Sequence, residues 1–179
     1  MNDDDLEPRI EALAVLQRLD SQGLNRGSTG NLSLRAHAGG FWITPTGMPA
    51  DELGVTDFVR LADDGGVLEG EWKPSSEWPF HRAIYRARPE LNAVIHMHSP
   101  HATALACLRR PLPPFHYMVA VAGGDDVPCT PYHLFGTEAL CGIYLQALAV
   151  GEPVLLTSRQ MAEVILRFRT YGQATPDKG

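Results

Sequence analysis

Apolar residues recur near helical spacing at Leu6, Ile10, Leu13 and Leu16, with Leu19 beyond. The pattern predicts a helix that ends near Gly23 and turns those side chains toward a core. In "NLSLR", Leu32 and Leu34 alternate with Ser33 and Arg35, which predicts a strand with Ser33 and Arg35 on the opposite face. "AHAGG" reads as a hairpin turn and "FWIT" as the partner strand. "PTGMP" is a further turn, and a short helix is expected near "TDFVRL". "PSSEWPFHRAIYRARP" opens with Ser75 or Ser76 as a helix cap and a proline in the first turn, then sets Phe80, Ile84 and Ala87 on one face. Arg88–Pro89 stops it. "NAVIHMH" reads as a buried strand and "PHATALACLR" as the helix after it. "YMVAVAGG" and "VPCTPY" add extended segments, "GTEALCGIYLQALAV" is helical, and "SRQMAEVILRFRTYG" is a closing amphipathic helix. Strands and helices alternate without a regular βαβ count. The expected fold is therefore α/β: one domain over residues 1–179, with a central mixed or antiparallel sheet flanked by helices.

Composition narrows the class. With 179 residues, 44% apolar and 20% charged, the chain is long enough for its own core. The net charge of −6 and the lack of any basic run longer than two residues exclude a nucleic-acid groove or a basic membrane patch. No stretch reads as a signal peptide, and no apolar run approaches the roughly 18 residues of a membrane span. Cys107, Cys129 and Cys141 are odd in number and form no C-x-x-C pair, so reduced thiols in the cytoplasm are expected.

The candidate chemistry begins at His96-x-His98. Histidines two apart on a strand share a face, with Val94 beside them, and both rings can reach one Zn²⁺ at about 2.0–2.1 Å. The same pair is equally two hydrogen-bonded histidines at a strand end. Glu77, in the first turn of the preceding helix, is either a dipole complement or a carboxylate aimed at the same metal. Ser75 and Ser76 are either caps or, with the helix N-terminus, a phosphate cradle. "GSTGN" and "TPTG" flank strands and are neither a Walker loop nor a dinucleotide fingerprint, yet with the serines they form a candidate anion pocket. Lys73 and Lys178 are the only lysines and neither lies in an apolar run, which argues against a Schiff-base mechanism.

The ordered motifs "STGNLSLR", "WITPTGMP", "KPSSEWPFHRAIYRARPELNAVIHMHSPHATAL", "FHYMVAVAGGDDVPCTPYHLFGTEAL" and "FRTYGQ" resemble the class II aldolase/adducin family, from about Leu6 to Gln173. The resemblance is strongest to the branch that cleaves ketose 1-phosphates such as L-fuculose 1-phosphate. It implies an aldehyde-lyase using Zn²⁺ or another divalent metal to form dihydroxyacetone phosphate and an aldehyde. It also implies a homotetramer with active sites at subunit interfaces. Carried over, His96 and His98 become metal ligands, and Glu77 a ligand and acid/base. Asn31, Thr46, Gly47, Ser75 and Ser76 match phosphate-binding positions, and Tyr117 and Tyr171 match tyrosines that a neighbouring subunit presents. The alternatives are a pentulose-phosphate 4-epimerase or sugar-phosphate dehydratase on the same scaffold, or a non-enzymatic adducin-like module.

One departure stands out. The family's third metal histidine lies in a segment of the type "LL-x-x-HG" after the "GTEL" helix, and no His-Gly occurs here. "GTEALCG" runs almost directly into text that resembles the family's C-terminal tail. A strand and helix of on the order of 30 residues or more are expected to be missing between about Leu140 and Tyr144, from this sequence rather than from the working protein. His81 and His101 are candidate replacement ligands, beside His37, His116 and His133.

Overall fold

In the computed structural model, residues 4–113, 127–129, 157 and 159 are described. Packing divides the chain into two compact units at the Met97–His98 boundary. The first unit opens with α1, Leu6–Ser21, and continues through β1 (Asn31–Arg35), β2 (Phe41–Ile43), a single 3-10 turn (Val55–Asp57), β3 (Val59–Leu61), β4 (Val67–Glu69), α2 (Trp78–Ala87) and β5 (Ala93–His96). The second unit's described helix is α3, Pro100–Cys107, started by Ser99, whose hydroxyl accepts the Ala102 N–H.

The strands lie in the order β4-β3-β2-β1-β5, and every pairing is antiparallel. Side-chain alternation sends two residue sets to opposite faces. Leu32, Leu34 and Trp42 join Leu13, Leu16, Leu53 and Phe58 in one core. Phe41, Ile43, Val59, Leu61 and Val94 join Tyr85 in the other, with Trp78 and Ile84 packed against it. The sheet is therefore covered by α1 on one face and by α2 on the other. Because both faces are buried, Ser33 stands fully buried opposite the leucines of its own strand, where a half-exposed sheet would leave it wet.

Several local expectations change. Leu6 and Ile10 are exposed, whereas Arg9 is buried on α1. Its guanidinium lies 4.1 Å from the Trp42 ring centre and donates to the Asp5 and Val55 carbonyls. The helix near "TDFVRL" is only the 3-10 turn, and its last three residues form β3 instead. The strand β4 had no sequence signal, since Val67 and Leu68 are both exposed. On α2 the buried residues are His81 and Tyr85, while Phe80 is exposed. The α2 cap is Glu77 rather than a serine. The serine segment is held in extended pairing with β2's exit: Ser75 N–H donates to Thr44, Thr46 N–H donates to Lys73, and Pro45 bridges Pro74. Finally, β5 stops at His96, is mostly exposed, and leaves His98 beyond the strand.

Candidate active site and metal centre

The β1–β5 register places Asn31 opposite His96. At the same end of the sheet the chain enters α2, so Glu77 arrives over Asn31. The Asn31 Nδ2 donates to Glu77 Oε2 at 2.6 Å, and the same oxygen lies 3.5 Å from His96 Nε2. One ligand atom from each of Glu77, His96 and His98 falls within 4.8 Å of the others. Two ligands on a tetrahedral Zn²⁺ stand about 3.3 Å apart, given bonds near 2.0–2.1 Å. The carboxylate–imidazole separation therefore suits one shared ion, and the nitrogen and oxygen donors suit zinc or a similar divalent metal. Three protein donors also match catalytic sites, which keep a coordination position open.

The proposed phosphate positions lie on neighbouring backbone. Thr44–Thr46 pair with Lys73–Ser75, which brings Thr46 and Gly47 beside Ser75 and Ser76. Gly47 is exposed at φ +70°, a conformation that glycine adopts without penalty. The Ser75 hydroxyl accepts the Glu77 N–H at 3.3 Å, so it braces the turn that aims Glu77. Asn31 is engaged at both ends of its amide, with Glu77 and with His81. Tyr117, Tyr171 and the Leu140–Tyr144 junction lie outside the described residues, as do His116 and His133.

His81 does not serve as a replacement ligand. It is fully buried, with Nδ1 2.6 Å from Ser33 Oγ and Nε2 2.5 Å from Asn31 Oδ1, so both ring nitrogens are already used. Burial, and to a lesser degree the charge of His96, lowers its pKa to about 4. The Ser33 hydroxyl also meets Tyr85 OH at 2.8 Å, and burial raises that phenol's pKa. This polar cluster was missed in the sequence. Its signal was His81 and Tyr85 one helical turn apart, facing a serine on a strand whose other face is leucine. Among the described residues Glu77, His96 and His98 are the one group with metal-binding geometry, and His37 and His101 are exposed outside it.

Residues 11–165 match the family described as class II aldolase and adducin N-terminal domain. The L-fuculose phosphate aldolase of Escherichia coli is 37% identical over 192 aligned positions, covering 84% of this chain and 88% of that one. The 5-methylthioribulose-1-phosphate/5-deoxyribulose-1-phosphate aldolase of Rhodospirillum rubrum is 37% identical over 197 positions, covering 87% and 88%. A solved L-fuculose 1-phosphate aldolase superposes with a TM-score of 0.69 at 32% identity, covering 94% of this chain and 98% of that one. The alignment to the Escherichia coli protein has 192 positions, but 84% of 179 residues is only about 150. Some 40 of its positions thus have no counterpart here. Among the described residues no helix is long and apolar enough to cross a membrane. By its motifs, its sheet and its relatives, the chain belongs to the class II aldolase and adducin family, as one of its aldolases.

Proposed function

We propose that the protein cleaves a ketose 1-phosphate to dihydroxyacetone phosphate and an aldehyde at the Glu77–His96–His98 site, with Zn²⁺ as the metal. The observation that carries the reading is the convergence of those three donors beside the Ser75–Ser76 turn. The names of the Rhodospirillum rubrum relative and of the solved L-fuculose 1-phosphate aldolase share a 1-phosphate and differ in the remainder of the sugar, which becomes the aldehyde. Thr46, Gly47, Ser75 and Ser76 hold the phosphate through hydroxyl and backbone N–H groups, assisted by the α2 N-terminus. Asn31 borders this pocket while its amide fixes Glu77.

A bound divalent metal supplies Lewis-acid stabilisation for the negative charge that develops at the substrate carbonyl oxygen. The C4 hydroxyl loses its proton with help from a tyrosine, Tyr117 or Tyr171 of a neighbouring subunit. The C3–C4 bond then breaks, its electron pair moving toward C3 and the C2 carbonyl. Glu77 delivers a proton to C3, completing dihydroxyacetone phosphate. The reading includes a cytoplasmic homotetramer. It also places the missing positions between Leu140 and Tyr144, so that one metal histidine of the family is lost with them. The deciding experiment incubates the metal-loaded protein with L-fuculose 1-phosphate, 5-deoxyribulose 1-phosphate and ribulose 5-phosphate. Dihydroxyacetone phosphate from a 1-phosphate is the expected product. Xylulose 5-phosphate from ribulose 5-phosphate, with no cleavage of either 1-phosphate, would instead make the protein an epimerase.

A further inference from the structure

The hydrogen bonds behind Glu77 form a chain whose direction chemistry fixes. Asn31 Nδ2 donates to the Glu77 carboxylate, which when ionised can only accept, so Oδ1 must be the amide end that faces His81. An amide oxygen cannot donate. His81 Nε2 therefore carries the ring proton, and in the neutral ring Nδ1 is left as an acceptor. Ser33 Oγ, 2.6 Å away, must donate to that nitrogen. Having spent its one proton, Ser33 accepts from Tyr85 OH at 2.8 Å. Every link then points the same way: Tyr85 to Ser33, Ser33 to His81, His81 to Asn31, Asn31 to Glu77.

We propose that His81, fixed by Ser33 and Tyr85, is a positioning residue that locks the Asn31 amide so that its N–H₂ end holds Glu77 in the geometry required for proton transfer. The amide of Asn31 has two orientations related by a half-turn. In the flipped one its oxygen would confront the Glu77 carboxylate, acceptor against acceptor. His81 Nε2–H stabilises the working orientation and leaves the flipped one with two donors facing each other. The burial of Asn31, Ser33, His81 and Tyr85 excludes water from replacing any link. Direct hydrogen-bond partners of a metal ligand, the place Asn31 takes beside Glu77, commonly contribute 10–100-fold to activity or metal affinity, and His81 acts through that partner.

The inference rests on the aldolase reading, yet part of its test is independent of it. In metal-free protein labelled with ¹⁵N at histidine, His81 is expected to show a protonated Nε2 and a bare Nδ1 near neutral pH. A protonated Nδ1 would overturn the proposal whatever reaction the protein catalyses. In the loaded enzyme, His81→Leu removes the donor, whereas His81→Gln places an amide N–H where Nε2 stood. His81→Leu should lower kcat about 10-fold or more with KM changed less than about 2-fold, and His81→Gln should recover most of the loss. Equal kcat in the leucine variant and the wild type, or equal impairment in both variants, would sink the positioning role. If the leucine variant fails to fold, Ser33→Ala takes its place. It should leave a mixture of His81 tautomers and reduce kcat several-fold, and an unchanged tautomer with unchanged kcat refutes the chain. A wild-type enzyme that cleaves no ketose 1-phosphate defeats the functional reading alone, since the tautomer still reports the direction of the bonds.

Discussion

At the scale of single residues, the roles proposed for Glu77 as proton carrier and for the Ser75–Ser76 turn as phosphate cradle should fail differently. Glu77→Gln keeps the side chain's size and its reach toward Asn31 but cannot carry the proton. It should lose about 10²-fold or more in kcat while the melting curve stays close to wild type. Ser76→Ala should instead raise KM, because the proposed phosphate contact would be made equally to substrate and transition state. Steady-state kinetics on both variants checks the split, and an unaltered kcat in Glu77→Gln would reduce Glu77 to a helix-capping residue. His81 gives a second residue-scale outcome. Its folded pKa of about 4 lies below the ordinary 6.5, so between those values the unfolded chain binds a proton that the folded chain refuses. The stability due to neutral His81 is fully present above pH 6.5 and is lost as pH falls to about 4, amounting to about 3 kcal/mol. The groups around the ring are Ser33, Asn31, Tyr85, Phe80, His96 and, through its carbonyl, Glu77. Urea midpoints of metal-free protein across this range should fall more steeply for wild type than for His81→Gln. Parallel slopes would show that another group takes up the acid.

At the scale of elements, the hairpin between β1 and β2 shows where sequence was legible and where it was not. "AHAGG" was readable as a turn because adjacent glycines signal positive φ, and Gly39 and Gly40 do sit at +91° and +75°. Their difference was not readable. A Cβ on Gly39 meets nothing within 4 Å, whereas one on Gly40 falls 2.1 Å from the Leu61 carbonyl oxygen on β3. Gly39→Ala should therefore cost about 1–2 kcal/mol, the strain of a left-handed alanine alone. Gly40→Ala should cost about 3 kcal/mol or more, because β2 and β3 must also separate. Thermal denaturation of the two variants decides it, and equal losses would mean that β3 yields freely. The same division runs through the other elements. The faces of β1 followed from alternation, but α2 was assigned its core face from Phe80, Ile84 and Ala87. Apolarity placed Ile84 against the core but misplaced Phe80 and Ala87, since the sheet face under α2 offers Ser33, and a histidine and a tyrosine satisfy it better. The exposed Val67 and Leu68 of β4 carry no alternation to detect, as this edge strand follows its partner's hydrogen bonds.

For the whole molecule, the fold and the proximity of Glu77, His96 and His98 were legible because these residues sit in ordered local motifs between Asn31 and His98. The shortfall of the chain was also read in the sequence, from the absent His-Gly segment after "GTEALCG". The alignment to the Escherichia coli aldolase has some 40 positions that this chain of 179 residues does not fill. We infer that they include one donor to the metal. Protein made from this sequence as it stands should then surrender Zn²⁺ to a competing chelator at a lower concentration than that relative does. Inserting the relative's segment after Leu140 should restore both retention and turnover. Equal retention without the insertion would show that Glu77, His96 and His98 suffice.

The pairing of Asn31 with His96 across β1 and β5 has a consequence for how the molecule is assembled. A slip of one residue along this pair would turn every β5 side chain to the opposite face, and His96 would point away from Glu77. The sheet would keep its backbone bonds, since β5 is mostly exposed and buries only Val94 deeply. Burial alone thus discriminates weakly between the correct and the shifted alignment of this strand. Capture of the proposed metal would discriminate strongly, because only one alignment brings the imidazole to the carboxylate. On the proposed function, a bound ion would also select the in-frame pairing of β5 with β1, and metal-loaded protein would be the population that holds this register.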